Sequence, residues 1–115
     1  MKAPQDVKSP QKDWRLEEDG VVFQGPDDGE DGFSVACGRW RNGDKFEARL
    51  AIRWNANENR PLGNPSSRMY PTWFILPDAV AYSVMTAVLP KITDPAARER
   101  LRDWVTNTKK MGRTA

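Results

Sequence analysis

Histidine is absent from this 115-residue chain, and cysteine occurs once. Without imidazole, the commonest general base and the commonest transition-metal ligand are missing. A lone Cys37 can form neither an internal disulfide nor a cysteine zinc cluster, and an unpaired thiol suits a reducing compartment. No run approaches the ~20 apolar residues that a membrane helix needs, and residues 1–11 lack the apolar stretch of a secretory signal. These absences lead us to expect a cytoplasmic protein that is not an enzyme, with no cofactor, no metal and no membrane partner. The length favours one small domain. We expect a disordered segment over 1–12, a single α+β domain over 13–107 and a flexible basic tail over 108–115 containing Lys109, Lys110 and Arg113.

What is present is charge, unevenly distributed. Residues 1–33 carry four basic and nine acidic side chains, a net of −5, whereas residues 34–73 carry seven and three, a net of +4. Residues 74–115 carry seven and four, a net of +3. A basic body can attract a polyanion, although a surface that only keeps a small protein in solution has the same composition.

The clearest local signal lies over 33–54. Asn42-Gly43 is the pair that accepts positive φ at both centres of a type I′ turn, so it predicts a two-residue hairpin. The following strand alternates: Phe46, Ala48, Leu50, Ile52 and Trp54 on one face, Lys45, Glu47, Arg49, Ala51 and Arg53 on the other. With Asn42 and Gly43 as the turn, Arg41 lies opposite Asp44, Cys37 opposite Ala48, Val35 opposite Leu50 and Phe33 opposite Ile52. The same register puts Trp40 opposite Lys45, Gly38 opposite Glu47, Ala36 opposite Arg49 and Ser34 opposite Ala51. One face is then dry. The other combines small residues, cations and an indole, which suits either a solvated surface covered in part by the N-terminal segment or a platform for single-stranded nucleic acid.

Around this hairpin, Asp13 to Leu16 and Val21 to Phe23 flank Glu17-Glu18-Asp19-Gly20, which reads as a second, shorter hairpin with Trp14 and Leu16 on one face. Residues 24–32 are an acidic Gly/Pro loop. Aligned from Asp27 as a calcium loop, it places Gly29 at the third position and Gly38 at the twelfth, where oxygen ligands are required, so the match fails. Residues 55–69 form a long polar connection, of the length that tends to be functional or disordered, and Ser66, Ser67 and Arg68 suit phosphate contacts. Tyr70 to Pro77 reads as a short edge strand, and Asp78 as the N-cap of a helix with Ala81, Val84, Met85 and Val88 on its buried stripe. Val80, Tyr82 and Leu89 lie off that stripe, a reason to expect a homodimer through this first helix. Asp94-Pro95 then opens a second helix whose stripe is Ala97, Leu101, Trp104 and Val105. The fold class is α+β: a twisted antiparallel sheet of four to five strands followed by two C-terminal helices packing on one face.

The segment Lys45 to Trp54, with its Ile-Arg-aromatic ending, and the passage through a Gly/Pro/Ser/Arg crossover to Trp73-Phe74-Ile75-Leu76-Pro77-Asp78 resemble the single-stranded DNA-binding domains of the positive-cofactor-four type of transcriptional coactivator, over about half the chain. The resemblance implies a dimer formed through the helix that cradles unpaired DNA on curved sheets. It makes Arg39, Trp40, Lys45, Arg49, Arg53 and Arg68 candidate nucleic-acid contacts, with Trp40 or Trp73 stacking on bases. A second expected function is an adaptor or inhibitor, of the kind a phage encodes, that holds a host protein through Asp27, Asp28, Glu30 and Asp31 and the crossover. Enzymatic readings have little to stand on: Cys37 falls on the dry face with no base to activate it, and Glu17 and Glu18 sit in a turn.

Overall fold

The computed structural model describes the backbone of residues 2–114 and the side chains of residues 2–106. The elements in chain order are strands β1 (Trp14–Gln24), β2 (Phe33–Asn42), β3 (Lys45–Trp54), β4 (Ser66–Ser67), β5 (Tyr70–Pro71) and β6 (Phe74–Ile75), then helices α1 (Asp78–Val88) and α2 (Pro95–Thr114). Strands β1, β2, β3 and β6 form one antiparallel sheet in that spatial order, and the two helices follow it, so the fold is α+β. No helix among the described residues is long and apolar enough to cross a membrane.

The β2–β3 hairpin forms where the alternation predicts it, but its register differs by two residues. Asn42 pairs with Lys45, Cys37 with Leu50, Val35 with Ile52 and Phe33 with Trp54. Gly43 and Asp44 are therefore the turn, and only Gly43 has positive φ, at 67°. Glycine at the first central position is what a type II′ turn demands, whereas the expected type I′ turn needs both centres left-handed. An even shift preserves the pleat, so every side chain keeps its expected face.

On the first face, Val35, Cys37, Ala48 and Leu50 meet Ala81 and Val88 of α1 and Leu101, Trp104 and Val105 of α2. Both helical stripes fall where the spacing places them. Asp94 caps α2 as expected, its carboxylate accepting from the Ala97 amide at 3.2 Å. Asp78 does not cap α1: Pro77 occupies that position without a side-chain bond, and the Asp78 carboxylate faces Arg49 at 3.2 Å. Arg98 donates to the carbonyls of Leu89 and Ile92, closing the end of the first helical segment.

The second face is dry as well. Ala36 and Ala51 are covered by Val7, Trp14 and Trp73, with Leu16, Val21, Trp40 and Ile75 at the margin. The N-terminal segment is therefore part of the structure and not the disordered arm expected over 1–12. Val7 is buried, its carbonyl accepts from the Trp73 indole at 2.7 Å, and Ser9 bridges to Thr72.

Two further expectations change. The predicted hairpin at Glu17–Gly20 is a bulge inside one long strand: Leu16 pairs with Gly38 and Val21 with Ala36, leaving the intervening residues out of register. The predicted strand over 70–77 is split. Tyr70 and Pro71 pair with Ser66 and Ser67 as a small separate hairpin, while Phe74 and Ile75 join the sheet edge against Ile52 and Ala51. The side chains of the basic tail over 108–115 lie outside the described residues.

Candidate docking groove

Beyond its last core residue, β3 runs into Asn55, Ala56 and Asn57, and both asparagines are buried. Their amides do what backbone partners do inside a sheet. Asn55 accepts from the Ser34 hydroxyl at 2.6 Å and donates to the carbonyls of Gly25 and Pro26 at 3.0 and 3.1 Å. Asn57 donates to the Asp27 carbonyl at 3.2 Å and accepts from the amides of Asn59 and Arg60. The acidic loop is thus anchored to the start of the crossover. A hydrogen-bonded loop holds its side chains at defined places, as a solvated linker does not.

Arg53 organises the other side of the crossover. It is only 3% exposed, and its guanidinium donates to the carbonyls of Leu62, Pro65 and Thr72. Burial pushes its pKa below the usual arginine value; the ring of carbonyl dipoles keeps the cation satisfied in that place. Gly63 fits against it because there is no side chain: its φ is +66°, and a Cβ would come within 2.4 Å of both the Arg53 guanidinium and the Trp54 carbonyl.

Between the two anchored loops lies a groove of about 550 Å³ lined by Glu30, Phe33, Ile52, Trp54, Pro65 and Phe74, with Asn64 and Arg53 supplying its polar atoms. Trp54 stands edge-on to Phe33 with ring centroids 6.2 Å apart, and Arg60 lies over the Trp54 ring at 5.8 Å. Phe74 is 57% exposed and Trp54 38%. Single exposed apolar residues are ordinary, but aromatic and aliphatic side chains gathered in one concavity are the makings of a binding surface. The crossover also ends in a strained tip. Arg68 and Met69 have φ of 49° and 70° in the turn between β4 and β5, where glycine or asparagine is usual, and Met69 is 81% exposed.

The candidate nucleic-acid residues do not converge. Trp73 and Arg53 are buried, so neither points to solvent. Arg49 is held between Glu47 at 2.7 Å and Asp78 at 3.2 Å. Arg39 pairs with Glu17 at 3.4 Å and lies over the Trp104 ring at 5.1 Å. Trp40 is half-buried in the second core, and Lys45 is exposed at the hairpin tip. Arg68 is exposed, at the strained turn. On the expected outward face of β3, the N-terminal segment and the crossover bury Ala51 and Arg53. A cation–aromatic cluster does exist on the helix side of the hairpin end, where Arg15 and Arg41 flank the Phe46 ring at 4.9 and 5.3 Å. Carboxylates are interleaved with it, Arg41 meeting Asp13 at 3.7 Å.

The alternative set fares differently. Asp27, Asp28, Glu30 and Asp31 are all exposed on the anchored loop. Asp31 pairs with Lys91 at 2.9 Å, and Glu30 reaches the groove wall. The residues that sequence reading missed are Asn55, Asn57, Trp54 and Phe74. Two asparagines directly after a strand ending were the available signal for the first pair. Cys37 lies under the helices, and burial pushes its thiol up to about 12, far from the nucleophilic range.

No protein-family model, curated protein or solved structure matches this chain.

Proposed function

We propose that this protein is a non-catalytic binding module of the cytoplasm that docks a segment of another protein in the groove between the acidic loop and the crossover. The observation that carries the reading is the grouping of Phe33, Ile52, Trp54 and Phe74 in one concavity whose two rims are fixed by buried polar anchors. Preformed rims spare a partner the ordering cost of the loops, which favours affinity. The test is a photo-crosslinking residue in place of Phe74 in cells that make the protein. The expected result is a discrete adduct that protease removes and nuclease leaves intact, absent when the same residue replaces Lys12. No adduct, or one that nuclease dissolves, contradicts the reading.

A second reading, single-stranded nucleic-acid binding, draws on the Arg15–Phe46–Arg41 cluster. Paired cations with an aromatic ring between them suit phosphate and base together. It requires oligonucleotide affinity that falls steeply with salt, and an unchanged anisotropy at low salt removes it. Either module is proposed to work as a homodimer through α1. Ala79, Val80, Tyr82, Ser83, Thr86 and Ala87 are exposed along that helix, and none is charged. Solution mass measured on the intact protein and on Val80→Lys tests this, with a dimer expected for the first and a monomer for the second.

A further inference from the structure

Glu30 is the carboxylate in the groove wall, and the loop it belongs to also carries Asp27 and Asp28. Asp27, Asp28 and Glu30 are exposed, and among the described residues no cation stands within ion-pair distance of any of them, whereas Asp31 is neutralised by Lys91. Of the cations at the groove, Arg53 is buried and held by three carbonyls, and Arg60 lies over the Trp54 ring. Glu30 therefore stands at an apolar slot, on a loop that the bonds of Asn55 and Asn57 anchor at Gly25, Pro26 and Asp27 and that also carries Asp27 and Asp28.

The larger groove beside β1 and α2 is also acidic, lined by Glu17, Glu18, Asp19, Asp94, Glu99 and Asp103. Its sheet edge is bulged between Leu16 and Val21, so it offers no straight edge for strand addition, and its apolar lining includes no exposed aromatic ring. The Phe74 groove combines both kinds of recognition in one place.

We infer that the occupant of the groove is an extended protein segment in which an apolar side chain stands beside lysine or arginine. The apolar side chain enters the slot lined by Phe74, Trp54, Phe33 and Ile52, and the neighbouring cation meets Glu30, with Asp27 and Asp28 on the same loop adding to the attraction. This rests on the docking reading above and specifies the partner that reading leaves open. The apolar contact supplies affinity, and the charges supply selectivity and on-rate, since rim-exposed pairs steer association more than they bind.

The experiment selects a display library of short random peptides on the intact chain, on Phe74→Ser and on the triple variant Asp27→Asn, Asp28→Asn, Glu30→Gln. All of these positions are exposed, so a thermal melt checks that each variant folds. The intact chain is expected to enrich peptides with an apolar residue adjacent to Lys or Arg. Phe74→Ser should weaken them by about tenfold or more. The triple variant should lose the basic preference, and high salt should weaken the peptides on the intact chain. Peptides that depend on Phe74 but show no excess of Lys or Arg overturn the inference while leaving the docking reading in place. Failure to enrich any peptide that depends on Phe74 overturns both.

Discussion

Arg53 illustrates how a charge that reads as a surface contact can be structural. Alternation along β3 correctly places it opposite Ile52, away from the helices; what the pattern cannot contain is the loop that later folds over it. Its three carbonyl acceptors come from Leu62, Pro65 and Thr72, all distant in sequence. Replacing Arg53 with Met keeps much of the stem and leaves those carbonyls without a donor. The expected loss is about 2–4 kcal/mol by urea unfolding, with the crossover amides losing hydrogen-exchange protection. A loss below ~0.5 kcal/mol contradicts the role given to the guanidinium.

Cys37 gives a second prediction at the residue scale. Its folded thiol pKa is raised to about 12 against an ordinary value near 9, chiefly by desolvation, with Glu17 raising it further and Arg100 opposing. In the unfolded chain the thiol loses its proton first as pH rises, so the unfolded state is favoured. The stabilising contribution is complete below pH 9 and is lost progressively toward 12, by roughly 1.4 kcal/mol per pH unit at most. Cys37→Ala should show a shallower alkaline decline than the intact chain, measured by urea midpoints across that range. Parallel declines contradict the assignment. In the native state the thiol should also resist alkylation at pH 8.

Among the elements, the β2–β3 strands and both helices were legible because each carries a long periodic pattern and a boundary signal. Leu101, Trp104 and Val105 define the stripe of α2 without help from any other segment. The turn residues were not settled by Asn-Gly, since the same glycine serves a type II′ turn one position along, and only contacts beyond the hairpin choose between them. The bulge in β1 was misread for a related reason: Glu17-Glu18-Asp19-Gly20 has turn composition, and a bulge uses the same chemistry without reversing the chain. The groove was the least legible part. It is made by the end of β3, the edge strand β6 and two loops, so no local spacing encodes it.

The small hairpin of β4 and β5 supplies a prediction for an element. Its turn holds Arg68 and Met69 in left-handed backbone, which costs stability that asparagine and glycine avoid. Arg68→Asn with Met69→Gly should therefore stabilise the protein by about 1–2 kcal/mol, seen as a higher thermal midpoint. If the exposed Met69 helps to hold a partner, the stabilised variant should bind the selected peptides less well. A destabilised double variant contradicts the strain argument.

For the whole molecule, three layers follow from a sheet that is dry on both faces. Helices cover one, and the N-terminal segment with the crossover covers the other. This closure takes Arg53 and Trp73 out of the basic platform that the charge count suggested and leaves two partly apolar surfaces at opposite ends of the sheet: the Arg15–Phe46–Arg41 cluster and the Phe74 groove. The acidic head of the sequence is divided in space, with Asp13 at Arg41, Glu17, Glu18 and Asp19 beside α2 and Glu30 at the Phe74 groove.

The five tryptophans sit in distinguishable places, with Trp54 at the groove, Trp40 toward the hairpin end and Trp14, Trp73 and Trp104 buried. A nitrogen–proton spectrum of their indoles therefore reports both ends of the sheet in one titration. With an apolar peptide flanked by lysine, the Trp54 resonance should move while Trp40 stays, and single-stranded DNA should move neither. Movement of Trp40 on adding DNA, with Trp54 unchanged by every peptide selected, would contradict the assignment of function to the groove.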